Sequence, residues 1–165
     1  MTVTSSGTAK VTLPADNQVH ITREFDAPKH LVYKAYTTPE LVKRWWSSKR
    51  GEVTVAEIDL RVGGKWRYVM VADAEMEVGF HGEYREIVPD ERLVSTEVYE
   101  GLPDPEAYAT LNTLTLTEQD GRTSLEILVE YKTKEHRDGH MSSGMEAGLQ
   151  DALDLLEEVA ASLES

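Results

Sequence analysis

Few residues in this sequence are placed to do chemistry, and most of them are aromatic. Trp66, Tyr68 and Met70 alternate along one segment, and Val78, Phe80 and Tyr84 recur at even spacing in the next. Even spacing puts such side chains on one face of a strand. Two sets of this kind can line an apolar pocket, which needs a few polar groups among the rings to orient a ligand. Tyr68, Tyr84, His81 and Asn112 are the candidates for that polar part. Core packing accounts for the same pattern, and a one-residue error in register exchanges the two strand faces. Glu97 and Glu126 stand in segments otherwise rich in apolar residues. A carboxyl facing a dry cavity can serve as a general acid or base, whereas one on the outer face is merely solvated.

Other constellations carry less. His136 and His140 form an H-x-x-x-H pair, but a metal site needs a third ligand and a helical backbone to bring the two rings together. Asp138 and Gly139 between them read as a loop leading into a helix, so no metal is expected and His140 is assigned a capping or packing role. No Ser-His-Asp relay occurs at recognisable spacing, and no glycine loop leads from a strand into a helix as phosphate cradles do. Lys43, Arg44, Lys49 and Arg50 make one basic cluster, read as solvated surface beside Trp45 and Trp46. One of these two indoles can cap a cavity mouth while the other seals its helix onto the sheet, because neighbours on a helix point about 100° apart.

Composition narrows the classes further. The 165 residues include 17 Lys and Arg against 30 Asp and Glu, a formal charge of −13. Such a surface repels nucleic acid, whose binding depends on cationic side chains displacing counterions. The absence of cysteine excludes disulfides, thiolate metal sites and a Cys nucleophile. The first residues, MTVTSSGTAKVTLPADNQ, contain no apolar run of the kind a secretory signal needs. No stretch approaches the roughly 18 apolar residues that span a bilayer. A cytoplasmic protein without a cofactor is therefore expected.

The elements that must position these residues follow from periodicity. Residues 1–17, rich in Thr, Ser and Gly, are expected as a flexible tail, and 18–165 as a single domain. Val19, Ile21 and Phe25 alternate with His20, Thr22 and Glu24 as in a half-buried strand. Asp26 before Ala27-Pro28 signals a first short helix, and Thr38-Pro39-Glu40 a second. Further strands are expected from Gly51, over Lys65–Ala72, Met76–Val88, Arg92–Tyr99, Ala107–Thr117 and Thr123–Tyr131, with Gly63-Gly64 and Asp120-Gly121 at turns. Short connections make about seven strands an antiparallel meander. Met145, Leu149, Leu153, Leu156, Ala160 and Leu163 then mark a long helix from Gly139 to about Leu163, with Gln150, Asp154 and Glu157 on a solvated opposite face. The fold class is α+β.

The order of these elements, with FDAP (Phe25 to Pro28), TTPELVKRWW (Thr37 to Trp46) and DLRVGGKWRY (Asp59 to Tyr68), resembles the AHA1-like branch of the START/Bet v 1-like superfamily. GEYREIVPDERLVST (Gly82 to Thr96) and GHMSSGMEAGLQDALDLLEE (Gly139 to Glu158) extend the resemblance to residues 19–163. It implies a helix-grip fold, a curved sheet wrapped round the C-terminal helix with an apolar cavity between. The implied function is binding of a small hydrophobic or aromatic ligand. Partnership with an Hsp90-type chaperone is the first alternative, and a polyketide cyclase or aromatase-like activity the second. Fold alone does not choose among them. The lining expected on this basis is Trp46, Trp66, Tyr68, Met70, Phe80, Tyr84, Met141, Met145 and Leu149. Where the family commonly carries Gly-Trp, this chain has Gly144-Met145, which implies a differently shaped mouth.

Overall fold

Alternation of buried and exposed side chains along eight-residue strands dictates a sheet with one covered face. A computed structural model describes residues 2–3, 9–46, 51–72, 76–142 and 145–163, with backbone alone at 2–3 and 145–147. The strands are β1 (Thr2–Val3), β2 (Lys10–Leu13), β3 (Gln18–Phe25), β4 (Gly51–Ile58), β5 (Lys65–Ala72), β6 (Glu77–Val88), β7 (Arg92–Tyr99), β8 (Thr110–Gln119) and β9 (Arg122–Glu130). Between β3 and β4 run α1 (Lys29–Thr37) and α2 (Pro39–Trp45), a 3₁₀ turn occupies Pro105–Tyr108, and α3 (Lys134–Ser142) and α4 (Met145–Ser162) follow β9. All strands join one antiparallel sheet in the order β1-β2-β3-β9-β8-β7-β6-β5-β4. The α1–α2 pair thus carries the chain from β3 across to the far edge at β4. Register slips between Val53 and Val55 and between Tyr84 and Glu86 are β-bulges, which bend the sheet. Gly63 (φ 84°), Asp120 (φ 54°) and Gly121 (φ 78°) supply the left-handed backbone that the tight turns require.

The meander from β4 to β9 follows the expected strands closely, but the sheet has nine strands where about seven are expected. The two added strands come from the expected flexible tail. Val11 lies opposite Ile21 and is fully buried. Gln150 of α4 grips Ala9 at both backbone groups, accepting from its N–H at 2.9 Å and donating to its carbonyl at 2.9 Å. The segment has too few apolar residues to announce itself, and its burial is supplied by distant partners. Asp26 does not cap α1; Pro28 holds that position, and Glu118 Oε1 accepts from the Lys29 N–H at 2.8 Å.

The C-terminal helical stretch also departs from expectation. It begins at Lys134 rather than Gly139, and its described residues form two helices, α3 and α4. Leu153, Leu156, Val159 and Ala160 of α4 are buried in the same core as Ile21, Phe25, Leu116, Leu125 and Ile127 of the sheet, and α4 also meets α1 and α2. Its other stripe is not simply solvated. Residues 150, 154 and 157 fall on one line along a helix. From that line Asp154 Oδ1 and Glu157 Oε1 accept hydrogen bonds from the Arg23 guanidinium at 2.6 and 2.8 Å. Glu157 Oε2 also accepts from the Asp26 N–H at 2.8 Å. Arg23 occupies the core-facing phase of β3 with Val19, Ile21 and Phe25, and its side chain is only 5% exposed. Its guanidinium carbon lies 5.1 Å from the centre of the Phe25 ring. No helix among the described residues is long and apolar enough to cross a membrane.

Arg23 is buried but Asp154 and Glu157 are 51% and 31% exposed, so water screens the carboxylates that lose their cation, and the cost lies between that of a buried and of a surface pair. Arg23→Ala, which also loses the packing of a buried side chain, should destabilise the protein by about 2 kcal/mol in chemical denaturation, against about 0.5 kcal/mol or less for Arg61→Ala, whose pair with Asp59 is exposed on both sides. Equal effects of the two substitutions would contradict this role for Arg23.

Candidate functional site

The sheet face toward α4 is built in rows. Tyr84, Ser95, Asn112, Val129 and Val19 follow one another across β6, β7, β8, β9 and β3, and Leu93, Leu114, Ile127 and Ile21 form the next row. Glu97 stands opposite Thr110, so a polar belt of Ser95, Glu97, Thr110 and Asn112 crosses a face that is otherwise apolar. Toward the β4 edge, Trp66 lies opposite Gly82 and Tyr68 opposite Phe80. Gly82 is required there. A Cβ at this position would sit 1.8 Å from the Thr96 carbonyl oxygen and 2.6 Å from Trp66 Nε1.

Between this face and the helices lies a cavity of about 330 Å³. Of the expected lining, Trp46, Trp66, Tyr68, Met70, Phe80, Tyr84 and Leu149 border it. Met141 packs against the core and is not part of the wall; neighbours on a helix point about 100° apart, and on α3 it is His140 that faces the cavity. The side chain of Met145, and Gly144 as a whole, lie outside the described residues. The wall also contains Asn112, a candidate for the polar part, and Glu97, one of the two carboxyls weighed from the sequence, together with Tyr36 and His140, which the expected set omits. Glu97 and Asn112 share an alternating phase with Leu93 and Leu114, which is the signal that places them inside.

A second, larger cavity of about 730 Å³ adjoins the first, and Met70, Phe80, Glu97, His140 and Gly148 border both. Leu102, Pro103, Tyr108 and His136 belong to the outer chamber alone. Aromatic contacts run through the two. Trp46 meets Tyr68 and Phe80 edge-on at 5.4 and 5.5 Å, and Tyr99 covers Phe80 at 5.1 Å. Trp45 is the anchoring member of the adjacent pair, buried and donating its Nε1–H to the Ala35 carbonyl at 3.0 Å. All three tryptophans of the chain border the inner chamber.

Electrostatics single out Glu97. Burial pushes its carboxyl up to about 7, against an opposing hydrogen bond from Asn112. The neighbouring phenols of Tyr36, Tyr68 and Tyr84 are raised, chiefly by burial, and stay neutral. His140 is pushed down to about 4 by burial, with His136 adding to the effect, so it is neutral at physiological pH. Glu97 is thus a wall group poised to change its protonation near neutrality, and it can give or accept a proton there.

The remaining candidates lie elsewhere. His136 and His140 do share one face of α3, contrary to the expected loop, and both rings pack edge-on against Tyr131, whose hydroxyl bonds His140 Nδ1. No group of three possible metal ligands occurs among the described residues. His81 points away from the chambers, on the strand face opposite Phe80 and Gly82. Its Nδ1 lies 2.7 Å from Glu100 and its Nε2 2.7 Å from Glu106, which ties the loop before β8 to β6. Burial opposes the charge on His81, yet the bonds to Glu100 and Glu106 outweigh it and raise its pKa. Glu126 is on the outer face, 3.3 Å from His20. Lys43 and Arg44 are exposed on α2, and Lys49 and Arg50 lie outside the described residues.

The whole architecture has close counterparts. A crystal structure of a protein from Rhodobacter sphaeroides matches with a TM-score of 0.86 and 27% identity, covering 94% of this chain and 99% of that one. A protein from Chromobacterium violaceum matches with a TM-score of 0.74 and 26% identity over 87% of this chain and 96% of that one. A Mycobacterium smegmatis protein shares the fold at 22% identity, with a TM-score of 0.81 over 99% of this chain and 100% of that one. No curated protein sequence matches significantly. The sequence profile described as activator of Hsp90 ATPase homolog 1-like protein matches residues 26–161. With the helix-grip arrangement of sheet and C-terminal helix seen in its structure, the chain belongs to the activator of Hsp90 ATPase homolog 1-like family, a branch of the START/Bet v 1-like superfamily.

Proposed function

We propose that this protein binds a small hydrophobic or aromatic molecule in the space between α4 and the sheet. Membership of the family points in general to a ligand-binding or chaperone-associated role. The observation that carries the proposal is the wall itself, where Trp46, Tyr68, Phe80 and Leu149 enclose space while Glu97 and Asn112 offer polar contacts inside it. A core meant only for stability would fill such volume, since unfilled space among apolar groups forfeits dispersion contacts. Rings and aliphatic side chains supply area, and the polar belt supplies orientation. The chaperone-partner reading draws on the family description alone. The cyclase-like reading gains one feature, an ionisable group on the cavity wall, which is Glu97 rather than His81.

Tryptophan fluorescence reports directly on this wall. The neutral probe N-phenyl-1-naphthylamine should quench it saturably with a micromolar Kd, an affinity of about 8 kcal/mol, accessible to a mostly buried three-ring ligand. Ala152→Trp, which fills the inner chamber from α4, should weaken the probe at least about tenfold at a stability cost below about 3 kcal/mol. A probe that binds the Trp variant as tightly as the native protein is bound elsewhere, and the proposal fails.

Glu97 gives a second, ligand-free prediction. Its folded pKa is raised above the unfolded value of 4.5, so folding favours the protonated form, and that contribution is complete below pH 4.5 and lost as pH rises through about 7. Glu97→Gln removes the effect. The stability of this variant relative to the native protein should rise between pH 5 and pH 8 by a margin on the order of 3 kcal/mol. A pH-independent difference would show that the Glu97 carboxyl is solvated.

A further inference from the structure

The charge of the cavity narrows what it can hold. Glu97 sits on the wall common to both chambers, and Glu135 is a second carboxylate in the outer one. No Lys or Arg occurs among the described residues that line either chamber, and burial holds His136 and His140 toward their neutral forms. The groups around Glu97 come from every side. Asn112 and Thr110 are on β8, Tyr36 on α1, Tyr68 on β5, Tyr131 just beyond β9, and His140 on α3. None of them is a permanent cation. A buried carboxylate without a counter-charge is costly, and a ligand can bring the charge that the wall does not supply.

The same wall is rich in ring faces. Phe80 borders both chambers, Tyr99 and Tyr108 face the outer one, and Trp46 and Tyr68 the inner one. Aromatic faces attract organic cations, most strongly where water is excluded. The acidic chain as a whole, at −13, raises the local concentration of cations and lowers that of anions.

Building on the binding role proposed above, we infer that the cavity takes an apolar molecule carrying a basic nitrogen, its ammonium group set against Glu97 and its hydrocarbon against the aromatic wall. Fatty acids, aryl carboxylates and phosphorylated lipids are expected to bind weakly, because their anionic groups would be brought beside Glu97 and away from water. The tyrosine hydroxyls and Asn112 are free to orient further polar atoms of the ligand without altering this choice of charge.

Three two-ring probes of matched shape separate the possibilities by calorimetry at pH 7.5. They are naphthalen-2-ylmethanamine, naphthalen-2-ylmethanol and naphthalene-2-carboxylate. The amine should bind about tenfold or more tightly than the alcohol, and the carboxylate about tenfold or more weakly than the alcohol. In Glu97→Gln, whose folding is checked by circular dichroism, the ratio of amine to alcohol affinity should fall to near one. Carboxylate binding equal to or tighter than amine binding overturns the inference and leaves a cavity of other charge preference. An amine advantage that persists in Glu97→Gln overturns it as well, since Glu97 would not be the anchor. Equal binding of amine and alcohol shows a neutral donor site and also overturns it. If none of the three binds, the cavity reading fails, and the inference fails with it.

Discussion

The structure hangs on one buried guanidinium. Arg23 stands where β3 should present an apolar side chain to the core, and it reaches Asp154 and Glu157 on α4 instead. Glu157 passes the constraint on to the backbone at Asp26, where the chain leaves the sheet for α1. Gln150, on the same stripe, fixes the strand segment at Ala9. Hydrophobic contact alone would let α4 slide along a greasy face, since such attraction has no direction. Charge-assisted hydrogen bonds have geometry, and these set where the helix lies. With α4 pinned at its C-terminal half by Arg23 and buried Leu156 and Val159, the space near Leu149 is left between helix and sheet rather than closed.

What fills the wall of that space decides its chemistry. Aromatic side chains from β5, β6, α1 and the end of α2 provide a rigid lining, while the polar belt crosses it from β7 to β8. Glu97 is the point at which the two meet, bordering both chambers. A carboxyl held near neutral pKa by burial is sensitive to whatever enters beside it. A cationic partner would drive it to the ionised form, and a neutral apolar partner would leave it protonated. Under the binding role proposed above, the occupant would thus set the charge of this group, and the same carboxyl is a prerequisite for acid–base chemistry.

Much of this was legible in the residues. The strands from β5 to β9 follow from alternation and turn residues, and Trp66, Tyr68, Phe80 and Tyr84 share a face because they share a phase. What stayed hidden has physical reasons. β2 is four residues long and owes its burial to Gln150 and β3, partners far away in sequence. Asp154 and Glu157 look like ordinary surface acids until Arg23 is known to face inward, and the clue was an arginine at a core phase between Ile21 and Phe25. Asp138 and Gly139 are weak helix formers and suggest a loop at His136 and His140, whereas the packing of both rings on Tyr131 supports helix there. Glu97 shares the phase of Leu93, but which face of β7 is covered depends on its register against β8, and one step of slip turns the set outward.

The space between α4 and the sheet is proposed as a binding cavity rather than a packing defect. A crystal structure of the protein with N-phenyl-1-naphthylamine decides between the two. Ring density is expected among Trp46, Phe80 and Leu149, with the amine nitrogen directed toward Glu97. Side chains collapsed into that space, with the probe absent or bound on the outer surface, would contradict it.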